Sequence, residues 1–258
     1  MPTDWKFYLA AIPAVILVGL SKGGFQGLSA LSLPLLALVM SPVRAAAVML
    51  PVLIMQDWVS VWAFRREFNA RILLILIPAA LVGIMLGWGL SAHVSEAAVR
   101  LAVGTISVVF VGYSLLRRRL APDAKSEAKV FPGLFWGAVA GFVSFISHTG
   151  SPPFQVYVLP QKLPPAVFAG TAVIFFATVN LLKVPPYVAL GQFSRENLVA
   201  AATLAPIAIA STFAGVWLVR RVAAQRFFTI VLTLTFLVGL KLIWDGGAAL
   251  AAESLRAS

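Results

Sequence analysis

The chain has no cysteine, two histidines and only nine acidic residues among 258. Without cysteine there is no disulfide framework, no thiolate metal site and no cysteine nucleophile. His93 and His148 stand 55 residues apart and cannot make a zinc site by themselves. Charged residues make up 11% of the chain and apolar ones 60%. Soluble domains carry about a quarter charged residues and cannot hide so much apolar surface in one core. No Gly-x-x-x-x-Gly-Lys-Ser/Thr, His-Glu-x-x-His or Gly-x-Ser-x-Gly motif occurs, and Asp57 has no second aspartate beside it in an apolar span. A self-contained nucleotide-driven pump and the familiar metallo- and serine-hydrolase chemistries are therefore unsupported.

What the chain does have is long apolar runs, with a mean hydropathy of +0.95. Blocks of about 18–24 apolar residues recur along it, each long enough to cross a hydrocarbon core of about 30 Å. The fold class is an all-α polytopic membrane protein whose surroundings are the lipid bilayer. The net charge of +11 is read as positive cytoplasmic loops, not as a nucleic-acid surface. Residues 7–20 after Lys6 resemble a signal peptide. However, Asp4 weakens the positive flank and Lys22 follows at once, so the segment is read as part of the fold.

The longest polar segment, residues 117–129, divides the chain into matching halves. Pro42 precedes Asp57 by fifteen residues, as Pro165 precedes Asn180; Pro78 precedes Gly87 by nine, as Pro206 precedes Gly215. Phe68-Asn69 opens one late span and Phe193-Ser194 its counterpart, and "SKGGFQ" in the first half answers "SHTGSPPFQ" in the second. Four agreements in one order predict an internal repeat. The boundaries are a first repeat over 1–120, a cytoplasmic linker over 121–130, a second repeat over 131–247 and a tail over 248–258.

Each half reads as two short arms and three full spans. The arms are 7–20 with 25–40, and 132–146 with 152–162. The spans are 43–64, 70–91 and 97–116, then 166–187, 196–218 and 226–244. A fourteen-residue arm reaches about 21 Å, too short to cross, so each pair of arms is expected to form a re-entrant hairpin. Three crossings per half would leave the two repeats inverted. The alternative is that 7–40 and 132–162 each cross once. Basic residues favour the hairpins. One side then collects Arg65, Arg66, Arg71, Arg117, Arg118, Arg119, Lys125, Lys129, Lys162, Arg220, Arg221 and Arg226. The other holds Lys6, Arg44, Arg100, Arg195 and Arg256. By the positive-inside rule the richer side is cytoplasmic and both termini lie outside.

Irregular backbone cannot face lipid, so the two bends need protein or a cavity around them. In inverted repeats such bends meet where substrate binds. The candidate binding residues are Ser21, Lys22, Gly23, Gly24 and Gln26 in the first bend and His148, Thr149, Gly150, Ser151 and Gln155 in the second. Glycine permits close backbone approach, Lys22 supplies charge, the hydroxyls and amides donate, and the returning arms present helix N-termini. Pro152 and Pro153 suit the first turn of the second returning arm. Together these groups predict a small anionic substrate. His148 is a candidate proton carrier. Asp57 and Asn180, at equivalent positions, are candidates for coupling or for bridging helices. Each group has a plainer use: Lys22 can snorkel, and His148 can be a neutral residue bonded to backbone. Gly83, Gly87, Gly133, Gly137 and Gly141 are read as close helix contacts, and Lys183 and Lys241 as snorkelling near span ends. No metal or cofactor is expected.

The stretches "GLSKGGFQGLSALSLPLL" and "GFVSFISHTGSPPFQVYVLP" resemble the TauE/SafE family of sulfite and organosulfonate exporters. Each is similar to that family's Gly-rich stretch followed by Leu-Pro, here Leu33-Pro34 and Leu159-Pro160. Lys22 and His148 stand where many members have small residues, and Ser151 replaces a glycine before Pro152-Pro153. The resemblance implies a secondary transporter of small sulfur-containing anions in the bacterial inner membrane, driven by an ion gradient, with homodimer formation left open. An anion channel or an intramembrane enzyme remains the alternative.

Overall fold

The computed structural model describes residues 5–257 except 24, 26–27, 38, 41, 91–94, 121–126 and 192; the side chains at 30–31, 33–34, 37, 42–43, 117–120, 224 and 253–257 also lie outside the description. Gly24 and Gln26, two of the expected binding residues, therefore fall outside it. The described residues form helices and connections, with no strand. In chain order these are α1 (Trp5–Lys22), a 3-10 turn (Leu28–Leu31), α2 (Ser32–Ala37), α3 (Pro42–Phe64), α4 (Ala70–Leu90), α5 (Glu96–Leu120) and α6 (Val130–Ser147). They continue with α7 (Ser151–Val158), a second 3-10 turn (Leu159–Gln161), α8 (Pro165–Leu182), α9 (Val184–Ala189), α10 (Arg195–Val219) and α11 (Ala224–Ala257).

Among the described residues eight segments are long and apolar enough to cross a membrane, α1 and α6 included. This lengthens the expected first arms. Residues 7–20 and 132–146 are parts of helices of 18 residues each, about 27 Å at 1.5 Å per residue. The returning arms stay short, with α2 at 6 residues and α7 at 8. Lipid contact fits the surface: large apolar side chains project outward along most long helices, with Trp5, Trp58, Trp62, Trp217 and Trp244 exposed.

Close contacts run between the halves. α1 packs on α10 and α6 on α4, while α3 meets α8 and α5 meets α11. Exchanging α1 with α6, α3 with α8, α4 with α10 and α5 with α11 maps this set onto itself. Small residues make the contacts possible. A Cβ on Gly83 would lie 2.0 Å from the Ala138 carbonyl oxygen, and one on Gly141 2.2 Å from that of Ala80. Gly19 and Gly23 face Ser211 and Gly215 equally closely. The expected role of Gly83, Gly137 and Gly141 in helix contact is met at the α4–α6 seam.

Two sets of contacts define the ends of the bundle. Arg44 pairs with Glu196 at 2.6 Å, and the Tyr8 hydroxyl donates to Thr203 Oγ1 at 3.3 Å, so α1, α3 and α10 start at one end. At the other end Arg220 reaches Glu67 and the Ala63 carbonyl, and the Asn69 amide donates to Thr171 at 2.9 Å. The chain after α6 doubles back: the Tyr157 hydroxyl near the close of α7 donates to the Lys129 carbonyl just before α6, at 3.0 Å. Phe154 fixes α7 inward, its ring 5.2 Å from Phe175 of α8 and 6.0 Å from Phe168. Tyr157→Phe is expected to lower thermal stability in detergent by about 1 kcal/mol, the net worth of one such hydrogen bond. No change in melting would mean that this bond does not hold the fold-back.

Candidate functional site

The two bends meet. α1 ends at Lys22 and α6 ends at Ser147, and between them lies a cavity of about 50 Å³ lined by Ser21, Lys22, Ser29, Leu53, Ser144, His148, Ser151, Ala172, Val173, Phe176, Asn180 and Lys183. On the measure by which one water needs roughly 10–15 Å³, it has room for a few water-sized groups. Four expected residues, Ser21, Lys22, His148 and Ser151, line one space although 126 positions separate Ser21 from Ser147, the first residues of the two bends.

Lys22 is buried, with 7% of its surface exposed, and its ammonium donates to Oδ1 of Asp57, which is 4% exposed. Asp57 Oδ2 accepts from Asn180 Nδ2 at 2.7 Å. The equivalent positions of the two halves are thus bonded to each other, bridging α3 to α8. Beyond Asp57 an apolar crevice of about 210 Å³, lined by Ile54, Trp58, Val61 and Leu181 among others, opens between the same two helices. Lys22, expected to supply charge, lines the cavity with its ammonium already paired to a carboxylate.

The second lysine of the cavity is Lys183. Expected to snorkel near a span end, it is instead fully buried, with 0% exposed. Its ammonium donates to the Ser144 carbonyl and Oγ, each at 3.3 Å, and to His148 Nδ1 at 3.2 Å. Among the described residues no carboxylate pairs with it. Val184-Pro185-Pro186 closes α8 at Leu182 and starts α9, so Lys183 sits at a helix junction beneath the α6–α7 bend. That pair of prolines, one residue removed from a lysine, was the available sequence signal. Lys241, the other lysine read as snorkelling, is partly exposed and pairs with Asp245 at 2.7 Å.

His148 caps α6 in the left-handed region, φ 53°, where glycine would sit without strain. Its Nε2 lies 2.8 Å from the Tyr187 hydroxyl. An ammonium at Lys183 can only donate to Nδ1, which in that form of the site places the imidazole proton on Nε2, toward Tyr187. Ser144, Lys183, His148 and Tyr187 therefore form one hydrogen-bonded chain along the cavity wall.

The remaining expected residues divide. Ser151 Oγ is buried, borders the cavity and has no protein partner among the described residues. Thr149 is buried and bonded to Ser147 at 2.6 Å. Gln155 turns away from the cavity, its Oε1 accepting from Thr235 of α11. A Cβ on Gly23 or Gly150 would meet neighbouring backbone, 2.1 Å from Gly215 and 2.7 Å from Ala140; both glycines are explained by helix contact. Pro152 and Pro153 take the first turn of α7 as expected, and they remove two of the backbone donors that a helix N-terminus offers. Positive character in the cavity therefore comes from side chains more than from the α7 terminus. Among the described residues no group of three or more His, Asp or Glu could hold a metal ion.

Comparison with known proteins returns no match among curated proteins and none among solved structures. A protein-family model, that of the sulfite exporter TauE/SafE, matches residues 11–242. That span runs from inside α1 to inside α11 and includes both bends and every residue of the cavity, and the chain belongs to the TauE/SafE family of membrane transporters.

Proposed function

We propose that the protein is a secondary transporter that exports small sulfur-containing anions, such as sulfite or organosulfonates, and holds the anion in the cavity between its two bends. One observation carries this reading: a cavity lined by two buried lysines, of which only Lys22 has a carboxylate partner among the described residues, Asp57 behind it. Burying a charge without a partner is costly, and an anion with several acceptor oxygens would complete the set. Lys183, Ser151 and Ser21 are the groups with which it would bond. At about 50 Å³ the cavity has the size for a small oxyanion.

The chain is arranged as two inverted repeats over 1–120 and 131–247, each a hairpin and three spans, with the hairpins entering from opposite faces. Three features support this arrangement: the contact set that maps onto itself when the halves are exchanged, the Tyr157–Lys129 fold-back, and the start of α1 beside those of α3 and α10. Arg65, Arg66, Arg71, Lys129, Lys162, Arg220, Arg221 and Arg226 then mark the cytoplasmic face, and both termini lie outside. Because the chain has no cysteine, single cysteines report topology cleanly. Glu127→Cys and Pro164→Cys, before α6 and after α7, are expected to react with an impermeant maleimide from the same face of a cell-derived vesicle. Reaction from opposite faces would mean that 130–162 crosses.

Transport takes the form of alternating access coupled to protons, with His148 as the carrier between Lys183 and Tyr187. In proteoliposomes, saturable sulfite or methanesulfonate flux that depends on the protein supports the reading, and its absence with folded protein contradicts it. His148→Ala is expected to alter the pH dependence of that flux; an unchanged pH profile would remove His148 from the coupling.

A further inference from the structure

The fixed charges around the cavity can be summed. Lys22 contributes one positive charge and Asp57 cancels it. Lys183 in its ammonium form contributes a second, and its hydrogen-bond partners are neutral: the Ser144 carbonyl, the Ser144 hydroxyl and, at 3.2 Å, Nδ1 of His148. His148 cannot add a charge while that bond stands, because a doubly protonated ring has no lone pair to offer. The other elements against Asp57 bring nothing further. α10 carries only Arg195 and Glu196, both at the far end where Glu196 pairs with Arg44, and α2 carries no charged residue. With Lys183 as the ammonium, the empty site therefore holds one net positive charge among mostly buried side chains.

We propose that this cavity selects singly charged oxyanions over doubly charged ones of similar size, and that Asp57 sets this valence. The inference rests on the proposed reading of the cavity as the anion site. One negative charge brings the cluster to neutrality, the least costly state in a low dielectric. A dianion would leave a net negative charge in the same space, with Asp57 itself as the repelling group. Asp57 thus acts as a negative element against the wrong substrate, while its bond to Asn180 holds it in place.

The test uses anions whose charge does not change near neutral pH: methanesulfonate, singly charged, and sulfate, doubly charged. Their affinities for the purified full chain in detergent are measured by calorimetry at fixed pH and ionic strength. The wild type is expected to bind methanesulfonate roughly tenfold or more tightly than sulfate. Asp57→Asn keeps the side-chain shape but raises the cluster to two positive charges, and the preference is expected to reverse by a similar factor. Sulfate bound as well as methanesulfonate by the wild type, or a ratio unchanged in Asp57→Asn, would overturn the valence rule and leave the anion site standing. No binding of either anion or of sulfite by the wild type would overturn both.

A second pair of variants covers the case in which Asp57→Asn does not fold. Lys183→Gln makes the cluster neutral and is expected to lose methanesulfonate. Adding Asp57→Asn to Lys183→Gln frees Lys22, restores one net charge and is expected to bring methanesulfonate binding back. Failure of the folded double variant to regain it would overturn the proposal.

Discussion

Replacing Lys22 with methionine is expected to destabilise the folded protein by about 3–5 kcal/mol, the cost of stripping one partner from a buried ion pair. Lys22 and Asp57 are both nearly inaccessible, so the carboxylate left behind is poorly hydrated. Asn180 would still donate to its Oδ2, but one neutral donor does not balance the charge. The loss belongs to the unpaired aspartate more than to the missing lysine, which predicts a rescue. In the double variant Lys22→Met with Asp57→Leu, most of the stability should return, because an apolar pair of similar volume is often as good as a buried ion pair. Unfolding in mixed micelles of the wild type, both single variants and the double would give the coupling as a cycle. Single-variant losses that simply add in the double would mean that the two residues do not act as a pair.

Lys183→Met is expected to have the opposite profile. It removes a buried charge that no carboxylate balances among the described residues, so stability should hold or rise. Affinity for a singly charged sulfur oxyanion should fall about 100-fold, equivalent to about 2.7 kcal/mol, because a charge-assisted hydrogen bond in a dry site is lost. Two buried lysines facing one cavity would thus respond to the same substitution with opposite signs in stability. A Lys183→Met protein that melts well below the wild type, or that binds sulfite unchanged, would place Lys183 in the framework instead of the site.

Much of this was legible in the sequence because it follows from short-range chemistry. Apolar run length gives the spans, and small residues at four-residue spacing mark the α4–α6 seam. The shared spacing of Pro42 to Asp57 and Pro165 to Asn180 placed two residues that turn out to be bonded to each other. The bends around Lys22 and His148 were visible as polar breaks in apolar sequence. Lys183 was not legible, for a physical reason. Its count along α8 puts it near the end of a span, where lysines usually reach toward water. Whether such an end is open or covered depends on what packs over it, and here Ser144 and His148 arrive from a segment 35 or more residues earlier. The glycines of the bends are ambiguous for a related reason. A glycine that admits a ligand and one that admits a helix look alike in sequence, and at Gly23 and Gly150 a neighbouring helix leaves no room for a Cβ.

The central claim is that the cavity between the bends holds the transported anion and that Lys183 is its unmatched cation. The most direct test is thermal stabilisation of the purified protein by sulfite, measured for the wild type and for Lys183→Met at equal ionic strength. Ligand that binds only the folded state raises the melting point with concentration. The prediction is a concentration-dependent rise in the wild type, absent in a Lys183→Met protein that melts at least as high as the wild type without ligand. An equal rise in both proteins would contradict it.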